Sequence, residues 1–125
     1  MGNERIDMEE GMNGIAVVRP AEDGETPPGV SMWTASPGKE LPARCPVHSA
    51  RFVVEPGAAT DVDVHDVLEA WTVVSGTGVL VSQGARHALS AGDVVHFPSR
   101  IDHLLVNESD APIEVVSFWW SGDAA

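Results

Sequence analysis

Two stretches decide how this chain folds: GAATDVDVHDVLEAWTVVSG at residues 57–76 and GDVVHFPSRIDHLLVN at residues 92–107. In the first, Asp63, His65 and Glu69 share parity. On extended chain Asp63 and His65 therefore project from one face, and a turn through Asp66 and Val67 can bring Glu69 opposite them. The second stretch supplies His103 from a different strand. Two imidazoles plus carboxylate, with positions left open for substrate, is how proteins hold a reactive divalent metal.

Outward from these stretches the chain reads as short β-type segments divided by turn residues. Arg51-Phe52-Val53-Val54-Glu55 closes on Pro56-Gly57. Ala70-Trp71-Thr72-Val73-Val74 runs through Ser75-Gly76-Thr77-Gly78 into Val79-Leu80-Val81, a hairpin signature with glycines available for positive φ. Val94-Val95-His96-Phe97 stops at Pro98, and residues 103–106 and 113–120 complete the series. Nothing after Leu41 sustains helical periodicity, so a parallel sheet has no crossover helices to build it. The fold class is all-β, an antiparallel barrel or sandwich.

Composition changes near residue 41. Residues 1–40 hold eight acids, three bases and four prolines, with short apolar runs at residues 15–18 and 30–33. They read as an N-terminal arm with one or two edge strands, its first dozen residues mobile. Residues 41–122 read as the barrel domain. The 125 residues suffice for one domain with a real core, and 43% apolar with 21% charged residues excludes disorder throughout. Nineteen acids against seven bases give a net charge of −12, with no basic stripe to neutralise phosphates or an anionic membrane. Nucleic acid and membranes are therefore not expected partners; a small molecule is. The single cysteine, Cys45, excludes an internal disulfide, and MGNERIDMEEG has no apolar signal core, so a cytoplasmic location is expected.

The spacing of the two stretches resembles the cupins. Gly57, His65, Glu69 and Gly76 match the first cupin motif, with Asp63 where its first histidine belongs. Gly92, Pro98, His103 and Asn107 match the second, with Arg100 in place of its inner glycine. The resemblance implies a small antiparallel β-barrel of jelly-roll type with one divalent metal inside, iron, manganese, zinc or nickel. It carries the ligand roles directly to His65, Glu69 and His103, and to Asp63 by position only. Asp63 is read as a ligand, or as a carboxylate outside the ligand set that takes protons; Asp63 and Glu69 are the catalytic candidates. Cupins include dioxygenases, isomerases, cyclases, decarboxylases and lyases, and also binding proteins without catalysis, so fold settles little about reaction. The Ser-Phe-Trp-Trp and Glu-Ala-Trp stretches resemble zinc cupins of N–N bond-forming systems. Homodimers are common in the family, so a homodimer through the arm and an outward tryptophan is expected.

Three further residues are candidates for contacting substrate. Trp71 follows Glu69 at period two and either fills the core or stacks on a ligand. Arg51 could clamp an anion if it faced inward, although alternation favours Phe52 and Val54 there. Arg100 could guard the entrance or bind an anionic substrate. Of Trp119 and Trp120, one faces the barrel, and the other is expected to be covered by the arm, to meet a second copy in a homodimer, or to stay exposed.

Overall fold

The computed structural model describes residues 7–10, 15–36 and 46–121, and all regular structure among them is β. The first strands are β1 (Asp7–Glu10), β2 (Ala16–Arg19), β3 (Ala21–Asp23), β4 (Val30–Ala35) and β5 (His48–Val54). Then come β6 (Leu68–Ser75), β7 (Thr77–Ser82), β8 (Ala85–Ser90), β9 (Val94–Phe97), β10 (Leu104–Val106) and β11 (Ile113–Trp120). A six-stranded sheet runs β3-β4-β5-β11-β6-β9, and a three-stranded sheet runs β10-β7-β8. Every pairing is antiparallel, as a jelly roll requires. Among the described residues no helix is long and apolar enough to cross a membrane.

Alternation along the central strands builds the core. In β5 the inward set is Ala50, Phe52 and Val54; in β6 it is Glu69, Trp71 and Val73; in β11 it is Ile113, Val115 and Ser117. Leu80, Leu89 and Leu105 face them from the smaller sheet, and burying such side chains contributes roughly 1.5–3 kcal/mol each. The inward faces of these three strands are thus apolar except where Glu69 and Ser117 interrupt them on adjacent strands. That interruption marks the site.

Residues from the arm enter the main sheet. β4 pairs along most of β5, and β3 forms the outer edge beyond it. Asp7–Glu10, within the stretch expected to be mobile, pair with Ala16–Arg19; residues 1–6 and 11–14 lie outside the described residues, as does Cys45.

The hairpin expected across Gly76 is not one. β6 pairs with β11 and β9, whereas β7 pairs with β8 and β10, so the chain crosses from one sheet to the other at Gly76. Packing decides this: Gly76 has φ +84° and lies so close to Pro112 and Ile113 that a Cβ would collide with the Pro112 carbonyl oxygen. The hairpin lies one turn later, between β7 and β8, where Gln83 and Gly84 both take positive φ. Gly57 has nearly the same φ, +83°, but open space where its side chain would be. Gly57→Ala should therefore cost about 1 kcal/mol of strain, and Gly76→Ala roughly 3 kcal/mol or more, because backbone must also move. Parallel urea unfolding of the two variants measures the difference; equal losses would remove the packing account.

Candidate metal centre

The two motif stretches meet through backbone hydrogen bonds. Gly57 N donates to Asn107 O at 2.8 Å, Thr60 N to Leu105 O at 2.9 Å, and Asp63 and His103 exchange both backbone bonds at 3.0 Å. Residues 57–63 therefore run antiparallel beside residues 103–107, with Thr60 Oγ1 accepting from Leu105 N. Directly paired residues in an antiparallel ladder present their side chains on one face, which sets Asp63 beside His103. Arg100 N donates to His65 O and ties the following loop to the second imidazole. Arg100 does this with φ +64°, a left-handed conformation that favours glycine, which is what cupins carry at this position.

Asp63, His65 and His103 converge, and Glu69 meets both imidazoles. Ligand atoms of Asp63, His65 and His103 all lie within 4.8 Å of one another. His65 Nε2 stands 3.8 Å from Asp63 Oδ2 and 4.0 Å from Glu69 Oε1, and His103 Nε2 stands 3.2 Å from Glu69 Oε1. Donors about 2.1 Å from one shared ion must be about 3.0–4.2 Å apart, for bond angles between 90° and 180°. These three separations fall in that range. The side chains divide by depth: His103 and Glu69 are 4% and 10% exposed, while His65 and Asp63 are 42% and 53% exposed.

The deep pair is oriented from behind. His103 Nδ1 donates to Ile101 O at 3.1 Å, leaving Nε2 to face the other donors, and the ring stacks on Phe97 at 4.4 Å. Glu69 Oε2 accepts from Trp71 Nε1 at 2.9 Å and from Ser117 Oγ at 2.6 Å. Its other oxygen, Oε1, is buried with no hydrogen-bond partner, the single such side-chain atom among the described residues. A buried carboxylate oxygen left unpaired is costly unless something else satisfies it. Burial pushes the Glu69 carboxyl up, but the neighbouring His103, Ser117 and Trp71 outweigh it and hold the group below its usual value. Burial likewise pushes His103 down, and Glu69 with the Ile101 carbonyl lift it above the ordinary histidine value. The orphaned oxygen and the donor spacing fit a divalent cation.

These donors sit in the wall of a cavity of about 580 Å³ between the main sheet and residues 60–67, which also takes in Met32, Thr34, Phe52 and Trp119. That volume suits a small molecule. Trp71 lines it but is 3% exposed, packed edge-on against Phe52 and Phe97, so it serves the core and the Glu69 hydrogen bond together. Trp119 is the inward tryptophan, stacked on His48, while Phe118 and Trp120 take the opposite parity.

Two substrate candidates stand elsewhere. Arg51 is on the outer face of β5, its guanidinium 4.1 Å over the Trp33 ring and 3.4 Å from Glu114, because the alternation that buries Phe52 turns it outward. Arg100 is an exposed loop residue paired with Asp66 at 2.9 Å. Neither lines the cavity. Sequence reasoning passed over Ser117, whose signal was a lone hydroxyl at inward parity within the otherwise apolar IEVVSFWW of β11.

Residues 50–119 match the family described as Cupin domain, a span that contains both motif stretches. Among solved structures, a Cupin 2 conserved barrel domain protein from Salinispora arenicola CNS-205 superposes with a TM-score of 0.67 at 30% identity, covering 74% of this chain and 76% of that one. A predicted oxalate decarboxylase from Thermotoga maritima shares the fold at a TM-score of 0.65 and 20% identity, covering 93% of this chain and 91% of that one. A DMSP lyase from Ruegeria pomeroyi DSS-3 does so at 0.56 and 20%, covering 63% and 41%. The matched segment, the strand order and the barrel around the convergent donors agree: the chain belongs to the cupin family.

Proposed function

We propose that this cupin is a metal-dependent enzyme acting on a small polar molecule, with Asp63, His65, Glu69 and His103 holding one divalent ion. The observation that carries this is Glu69 Oε1, buried without a partner beside two imidazoles in the wall of a 580 Å³ cavity. His103 Nε2 stands 3.2 Å from that oxygen, and a divalent ion would satisfy both atoms. Solved cupins of the same fold include proteins named as a decarboxylase and a lyase, which supports an enzymatic reading without supplying the reaction.

Nitrogen and carboxylate donors together suit Fe(II), Mn(II) or Zn(II), and an ion so held would polarise a substrate oxygen or activate bound water. The chain's own residues supply the rest. Ser117 and Trp71 fix the Glu69 carboxylate, and Ile101 fixes the His103 ring. Phe97 and Trp71 keep water from the inner side of His103. Asp63, at the open side and half exposed, is placed to accept or return a proton at its carboxylate oxygen.

Elemental analysis of protein purified without chelators tests this reading. We expect close to one iron, manganese, zinc or nickel per chain. Removing it with a chelator should lower Tm by several degrees, since an ion bound only to the native state stabilises it by mass action. A chain that takes up no ion, with Tm indifferent to chelator and added metal, overturns it.

A further inference from the structure

The charge around the cavity points to the class of molecule it takes. Four carboxylates line it, Asp23, Asp63, Asp66 and Glu69, and among the described residues no lysine or arginine does. Arg100 pairs with Asp66 from an exposed position and offsets one of them. A divalent ion at the donor set would offset two more, leaving about one negative charge when the imidazoles are neutral. The chain's net −12 adds a field of the same sign. Arg51, the other guanidinium read from sequence as able to clamp an anion, is occupied on the outer face by Trp33 and Glu114.

A second, separate observation shows that the cavity is built to receive something. Glu69 is 8% exposed and directs an unpartnered oxygen among the imidazoles. Trp119, paired with Glu69 across β11 and β6, contributes an aromatic wall to the cavity, and aromatic rings attract organic cations. A carboxylate or phosphate ligand would bring another negative charge to a wall that, among the described residues, offers no lysine or arginine to receive it. A positively charged ligand with a neutral oxygen meets complementary charge throughout.

We infer that the cavity takes a small organic cation bearing a neutral oxygen donor, and discriminates against carboxylates of similar size. The oxygen addresses the donor set, and the cationic group lies toward Asp23, a lining carboxylate outside that set. This rests on the proposed metal site for its oxygen end; the preference for positive charge does not.

Choline and glycolate each combine one hydroxyl with one charge of opposite sign, and titrating both by calorimetry into metal-free and zinc-supplemented protein, at matched ionic strength, tests the inference. Choline should bind at least fivefold more tightly than glycolate in both samples, with the larger ratio in the metal-free one. Asp23→Asn should reduce that ratio about threefold. Glycolate binding as tightly as choline in either sample overturns the inference, as does choline failing to bind at tens of millimolar. A chain that takes up no zinc yet favours choline removes the metal reading and leaves this one standing. A zinc-loaded chain that favours glycolate does the reverse.

Discussion

Replacing His103 with alanine is expected to cost at least about 100-fold in affinity for a divalent ion, leaving the purified protein with little bound metal. The imidazole is 4% exposed, its Nδ1 is held by the Ile101 carbonyl, and Nε2 stands 3.2 Å from the unpaired oxygen of Glu69. Its removal takes away one of the two deep donors, and water entering the space cannot reproduce a ligand held at a set angle. The ring also packs on Phe97 and Trp71, so metal-free stability should fall by about 2 kcal/mol from the lost contacts. The two effects separate experimentally. In the parent protein, chelator should lower Tm; in His103→Ala the starting Tm should already be low and chelator should change nothing. His96→Ala serves as the control, since His96 is exposed on β9 and should leave metal content intact. A His103→Ala protein with full metal and the parent's response to chelator would end the account of this site.

Asn107→Ala is expected to damage folding about as much as truncating a large core side chain. The side chain is fully buried and uses its whole hydrogen-bonding capacity. Nδ2 donates to Val54 O at 2.9 Å and Ala111 O at 2.8 Å, and Oδ1 accepts from Ser109 N and Ser109 Oγ at 2.9 and 2.7 Å. It thereby closes the loop between β10 and β11 and fastens it to the end of β5. Truncation strands the buried Val54 carbonyl and frees the loop, for a loss of about 3 kcal/mol or more. That corresponds to a fall in Tm of roughly 10 °C. Asn107→Asp should lose nearly as much, because a carboxylate accepts from Ser109 but cannot donate to the two carbonyls. Urea midpoints at unchanged slope measure both, and a loss under about 1 kcal/mol would mean the four bonds do not hold the loop.

Much of this architecture was legible before any coordinates. Period-two alternation placed Glu69, Trp71 and Val73 on one side of a strand, and β6 buries those three. The same alternation, which favoured Phe52 and Val54 for the interior, turned Arg51 outward. Parity also brought Asp63 and His65 to a common face, because spacing along extended chain is a local property. What escaped was non-local. A glycine-rich turn announces a change of direction but not the partner of the next strand; at Gly76 the partner was decided by close approach to Pro112 and Ile113, far along the chain. β8 was missed because ARHALS is polar on its exposed side and its turn uses Gln83 rather than asparagine or aspartate. The support given to Glu69 by Ser117 depends on β6 lying beside β11, where Trp71 pairs with Ser117, and no local pattern encodes that register.

The antiparallel pairing of Asp63 with His103 has a thermodynamic corollary. Residues 63 and 103 are forty positions apart, yet backbone bonds alone hold their donor atoms together. A cation gripping both side chains would act as a removable cross-link around that length of chain, restricting the unfolded ensemble much as a disulfide does. For a loop of this size the chain-entropy estimate is about 4 kcal/mol. A domain whose only cysteine has no partner within the chain would then have, in its metal, the covalent brace it lacks.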